Sequence, residues 1–155
     1  MDLHQAQIIV NNLFASQPFG VLATQQDGQP YVTLVAFAPT DDMQHLLFVT
    51  KRATTKFVHI KDNPHVAILI DNRSNHPHDF SQAVVVTVLG MVIEVSTDLK
   101  EDLLQHYLAK HLYLEDFARK PSSALMELAI EKFILVTRFQ HVVEWEVHDS
   151  LDNPS

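Results

Sequence analysis

FGVLATQQDGQPYVTLVAF, residues 19–37, is two β-rich runs on either side of Asp27-Gly28. Glycine relieves the positive φ that a tight two-residue turn demands, so the pair reads as an antiparallel hairpin. Upstream, Leu3, Ala6, Ile9, Val10, Leu13 and Phe14 recur at helical spacing after Asp2 as N-cap, which predicts an amphipathic helix laid on a core. Downstream, residues 45–50 read as a strand, 53–61 as a short helix, and HVAILI (65–70) as a strand introduced by Asn63-Pro64. Residues 71–82 form a polar loop. AVVVTVLGMVIEV (83–95) is too β-branched for a helix, and Gly90 marks a bulge where the strand bends.

Residues 98–111 read as a helix capped by Thr97 or Asp98, with Leu99, Leu103 and Leu104 among its buried positions, and 114–128 as short helices broken at Pro121. Two more strands close the chain in IEKFILVTRFQHVVEWEV (130–147). About seven strands interrupted by few, short helices cannot make a parallel sheet, which needs a long crossover between successive strands. The sheet must be mostly antiparallel. Several strands are apolar on both faces, and closure into a barrel removes exposed edges and exposed apolar faces together. The predicted fold is mainly β with short helices: a six- to seven-stranded antiparallel barrel in one domain, residues 1–148, with a polar tail over 149–155.

The 155 residues are 46% apolar and 19% charged, ordinary for one globular domain. The absence of cysteine excludes disulfides, thiolate metal sites and cysteine nucleophiles, so any redox chemistry needs a borrowed cofactor. No window has the apolar length of a transmembrane helix, and the first twenty residues lack a signal peptide's basic start and apolar core. A soluble, cytoplasmic protein without a membrane partner is expected. With a net charge of −8 and eleven Lys and Arg not gathered into a stripe, no nucleic-acid surface is expected.

One feature runs against the acidic balance. Lys51, Arg52, Thr54, Thr55 and Lys56 stand together between a strand and a short helix. A local basic knot of this kind serves a bound anion or is a solvated turn.

The order and wording of these blocks resemble the pyridoxamine 5'-phosphate oxidase-like FMN-binding split barrels. The resemblance is carried by GVLAT (20–24) with GQPYVTLVAF (28–37), by LLFVTKRATTKFVHIKDNPHVAIL (46–69), by VVVTVLGMVIEV (84–95), and by VTRFQHVVEWEV (136–147) as a closing hairpin. It implies an FMN held in a groove between the two subunits of a homodimer, with the knot as a phosphate seat at a helix N-terminus. By the family's pattern Lys56 matches the phosphate lysine, Thr54 a phosphate-binding hydroxyl, and Val49 and Thr50 the strand end against the flavin, with Lys51 and Arg52 approaching from that end. Thr55 stands where family members often have Arg, so Arg52 compensates or the phosphate is held more weakly. The strand Tyr31–Val35 matches the one along the isoalloxazine ring, through the backbone of Val32, Thr33 and Leu34. Trp145 matches a flavin-edge aromatic across the dimer or, as a lone Trp on a strand, packs in the barrel core.

The remaining constellations read as structural. His76, His78 and Asp79 lack a partner cluster at metal-ligand spacing, so no metal site is expected. His106 and His111 read as exposed helix surface, and Glu144 with Glu146 as a charged outer face. Three functions follow from the resemblance: a flavoprotein oxidoreductase of unknown substrate and unknown catalytic residues, a haem-binding or haem-degrading protein, or a non-catalytic flavin module. The region after Trp145 has no Arg, unlike authentic pyridoxamine phosphate oxidases, so vitamin B6 synthesis is not expected. The wording of residues 20–24, 31–38 and 68–72 is closest to the haem-utilisation branch, whose additional C-terminal domain is not expected here.

Overall fold

The computed structural model describes residues 1–138 and 141–147. The boundary expected at residue 148 and the tail beyond it lie outside the described residues. Helix α1 (Leu3–Ser16) opens the chain with a reciprocal capping box: Asp2 accepts from the Gln5 amide, and the Gln5 side chain accepts from the Asp2 amide. β1 (Phe19–Gln26) and β2 (Gln29–Pro39) form the expected hairpin, with Asp27 and Gly28 at φ of 52° and 81°. β3 (His45–Lys51), α2 (Thr55–Asp62), β4 (His65–Asp71), the single-turn α3 (Asp79–Gln82) and β5 (Val85–Glu94) follow. Then come α4 (Thr97–Lys110), a 3-10 turn at Leu112–Leu114, α5 (Glu115–Ala118), β6 (Ser123–Thr137) and β7 (His141–Glu146).

All strand pairs are antiparallel, in the order β3-β2-β1-β4-β5-β6, and β3 pairs with β6 to close a six-stranded barrel. β6 makes the closure. Its first half, 123–129, pairs with β3, while its second half, 132–137, pairs on the same edge with β7 outside the barrel. Residues 123–128 were expected to be helical, because SALMEL is rich in good helix formers. Pairing between β3 and β5 overrides that local preference, since satisfied ladders and two buried faces outweigh a few tenths of a kcal/mol per residue. The bulge sits on β6, where Glu131 is the extra residue opposite Leu89 and Gly90. Gly90 supplies the room for it.

The barrel interior and the buried face of α1 form one core, with Phe14 edge-on to Phe37 at 5.7 Å between ring centroids. A second core lies between the outer faces of β3 and β6 and the helices α4 and α5. The buried face of α4 is Leu104, Tyr107 and Leu108, whereas Leu99 is 55% exposed and Leu103 half-buried, which corrects the expectation for Leu99. Leucine spacing alone cannot show which stripe of a helix meets the barrel.

Polar side chains fasten α4 to the end of β2. Tyr107 donates to the Ala36 carbonyl at 3.0 Å and His106 Nε2 to the Pro39 carbonyl at 2.6 Å. Lys110 Nζ donates to the Phe14 and Gln17 carbonyls at 2.8 Å each, so a cation meets the C-terminal end of α1. Burial pushes the Lys110 ammonium down to about 8. His111 is not helix surface as expected: it is 1% exposed, and its Nε2 donates to the Phe37 carbonyl at 2.6 Å. The other nitrogen, Nδ1, then accepts from the Tyr113 hydroxyl at 3.0 Å, which fixes a neutral tautomer.

Burial first, and the nearby Lys110 charge with it, hold the His111 pKa below its ordinary value despite the Phe37 carbonyl. Between that lowered value and about 6.5 the unfolded chain binds the proton more readily. Stability from this group is therefore complete above pH ~6.5 and is lost as the pH falls below it. Melting temperatures from pH 7.5 to 5 should fall less steeply for His111→Gln than for the wild type, and parallel profiles would contradict this.

Candidate functional site

The site grows from a mismatch in strand pairing. β2 pairs with β1 over 29–36, but with β3 only at Phe37–Phe48, Ala38–Leu47 and Pro39–Leu46. An unbroken register would set Leu34 opposite Lys51. The two strands part instead, and residues 32–34 have no strand partner on that edge among the described residues. Their outward side chains are open: Val32 is 62% and Leu34 64% exposed. Helix α2 closes the mouth of the barrel beside this parting, with Ile60 in the core and buried His59 bonded through Nδ1 to Thr24 Oγ1 at 3.0 Å. Tyr31 stands edge-on to His59 at 5.6 Å.

The knot lies where β3 ends and α2 begins. Thr54 is the N-cap: its hydroxyl accepts from the Phe57 amide and donates to the Lys51 carbonyl at 2.8 Å. Thr50, 1% exposed, meets the same hydroxyl at 3.0 Å. Because Thr54 has one proton and gives it to Lys51, Thr50 is the donor between them. These hydroxyls therefore shape the turn, and Val49 is buried in the outer core under α4.

Arg52 does not stand free. Its guanidinium forms a two-pronged pair with Glu94, at 2.8 and 2.7 Å, and holds that carboxyl below its usual range. Nothing in the sequence signals a pairing between residues so far apart. Lys61 lies 4.0 Å from the same carboxylate. Lys51 and Lys56, in contrast, have no ion pair or side-chain hydrogen bond among the described residues. Lys56 is half-buried, and burial alone lowers its pKa. It has lost hydration without gaining an anion. The amides of Thr55 and Lys56, the first two of α2, have no backbone partner outside the helix, as expected of a helix start.

The structure thus places Lys51, Thr55 and Lys56 together where β3 ends and α2 begins, with Thr50 and Thr54 shaping that turn, and Val32, Thr33 and Leu34 on the open edge of β2. It does not bring Trp145 of the same chain there. On β6, Ala124 lies opposite Thr50 and Phe133 opposite Trp145, roughly 30 Å of extended strand apart. Trp145 is 5% exposed and stacks on Phe133 at 4.9 Å. Glu144, on the other face, pairs with Lys132 at 2.9 Å. Asp79 caps its own loop, accepting from the amides of Ser74, Asn75 and His76. No group of three or more metal-ligating side chains occurs among the described residues.

A closed antiparallel barrel whose sixth strand is shared between the barrel and an outer hairpin, with a basic helix start in a parting of its strands, defines a split-barrel protein. The chain belongs to the pyridoxamine 5'-phosphate oxidase family, whose sequence profile matches residues 9–137. Among solved structures it is similar to ChuZ of Campylobacter jejuni, with 14% identity, a TM-score of 0.82, and coverage of 100% of this chain and 67% of that one. It is also similar to a haem binding protein of Mycobacterium smegmatis, with 15% identity, a TM-score of 0.77, and coverage of 86% and 55%, so it spans little more than half of that protein. A FAD-binding protein of Mesorhizobium loti shares 19% identity at a TM-score of 0.66, with coverage of 82% and 89%. At these identities the likeness shows the fold. No curated protein sequence matches the chain. Among the described residues no helix is long and apolar enough to cross a membrane.

Proposed function

We propose that this chain is an FMN-binding flavoprotein that works as a homodimer, with the phosphate at the start of α2 and the flavin ring along the open edge of β2. The observation that carries the reading is Lys56: a half-buried cation without a counter-anion among the described residues, at a helix start whose first amides have no backbone partner outside the helix. A phosphate supplies what each lacks, a charge for Lys56 and acceptors for the amides. Lys51 adds a second cation from the strand end. Arg52 belongs to Glu94 and supports the turn, so the site lacks a two-pronged arginine. Family membership and the FAD-binding neighbour support a flavin in general.

The chain's part is binding, orientation and exclusion of water, while bound FMN would supply the electron or hydride transfer of an oxidoreductase. One chain offers only one wall, because Val32 and Leu34 remain open. The outer sheet face continues that surface across the register Leu34, Val21, Leu69, Thr87 and Ile134, one residue from each of five strands. A second copy laid on this row covers it and completes the groove.

Two measurements test the reading. The freshly purified protein should show a flavin absorption spectrum or take up one FMN per chain, and sedimentation should give a dimer that Leu34→Arg weakens. A Soret band at one equivalent that disappears on replacing a single His would replace FMN by haem. A stable monomer with full FMN affinity would remove the second copy from the site.

A further inference from the structure

Trp145 is the only tryptophan of the chain, and it is almost fully enclosed. One face is covered by Phe133, with 18° between the ring planes. Its indole N–H has no hydrogen-bond partner among the described residues, yet it is not sealed from solvent. A buried tryptophan usually satisfies that donor. Here the residue walls a hollow of about 250 Å³ between α1, the turn before β3 and the β6–β7 hairpin.

Val10, Met43 and Phe133 complete the apolar part of the wall. Three carboxamides join them: Gln7 and Asn11, one turn apart on α1, and Gln44. None makes a side-chain hydrogen bond within the described chain, although Gln7 and Gln44 are half-buried. The wall is preset. Asp42 accepts from the Thr40 hydroxyl at 2.6 Å and from the Gln44 amide at 3.0 Å, and between them Met43 is held at φ 60°, a left-handed conformation uncommon for a residue with a side chain. The hollow has an apolar lining, a few converging polar groups and a volume just below that of drug-sized sites, so it suits about one ring.

The charge of the wall narrows the class. Among the described residues no lysine or arginine lines the hollow, and Asp42 is part of its wall, so an anion is repelled. Carboxamides pair with groups that both donate and accept, and the indole N–H is a donor only, so it matches an acceptor on the ligand. We propose that this hollow binds a small, neutral, single-ring nitrogen heterocycle with an amide-like edge, which pairs with the carboxamides and accepts from the Trp145 indole. The site lies at the opposite end of β6 from the knot and does not rest on the flavin reading.

Nicotinamide and nicotinate provide the test, since they share a ring and differ in charge. With the full chain, calorimetry should show saturable nicotinamide binding accompanied by a shift in Trp145 fluorescence, and nicotinate should bind at least about tenfold more weakly. Gln44→Leu and Asn11→Leu should each weaken nicotinamide about three- to tenfold with an unchanged melting temperature, the effect of one lost hydrogen bond. Saturating FMN should leave nicotinamide binding intact. The proposal is overturned if nicotinamide fails to saturate by about 10 mM, if both ligands bind alike, if both leucine variants bind as the wild type does, or if FMN displaces nicotinamide.

Discussion

Gly90→Ala should destabilise the fold by about 3 kcal/mol or more, the upper end of what overpacking costs. A Cβ built at Gly90 meets the Ala129 carbonyl oxygen at 2.1 Å and Leu128 Cδ2 at 2.7 Å. The leucine tip can yield, but the carbonyl is part of the β5–β6 ladder and cannot move without breaking it. The expected outcome is a melting temperature lower by about 10 °C or more, or failure to fold. Gly28→Ala is the control. Its added methyl meets nothing within 4 Å, and only the positive φ of 81° is strained, which should cost about 1 kcal/mol. Equal, small effects at both glycines would show that the bulge relaxes and that Gly90 is not what keeps β5 and β6 in step.

The second large effect concerns binding. If Lys56 holds the FMN phosphate, Lys56→Ala should weaken FMN by about 1.5 to 3 kcal/mol, or roughly ten- to a hundredfold. Riboflavin, which lacks the phosphate, should bind wild type and variant nearly alike. The melting temperature of the free protein should hold or rise slightly, because Lys56 is a partly dehydrated cation with no partner to lose. Thr54→Ala should behave differently. Its hydroxyl caps α2, so its removal should lower stability by about 1 kcal/mol, with a smaller effect on FMN. Equal losses for FMN and riboflavin in Lys56→Ala would assign the lysine to structure, and unchanged FMN affinity would return the knot to a solvated turn.

Elements with local causes were legible in the order of residues alone. Asp27-Gly28 dictates a tight turn, Asn63-Pro64 ends α2, and Asp2 with Gln5 starts α1, because each acts on backbone angles or amides within a few residues. Many strands with few short helices then leave little but an antiparallel closed sheet, and the knot was legible because five polar residues lie together in the chain. The remaining outcomes depend on contacts between distant segments. SALMEL became a strand because β3 and β5 flank it, His111 became a buried donor because the Phe37 carbonyl waits beneath α4, and Arg52 was taken by Glu94 across 42 residues of sequence. Trp145 alternates with charges on β7, which turns it inward, but only the packing shows that it stacks on Phe133 at the far end of β6 from the knot. Such outcomes are set by which surfaces meet, and the burial and hydrogen bonds gained there exceed the local preferences that a sequence displays.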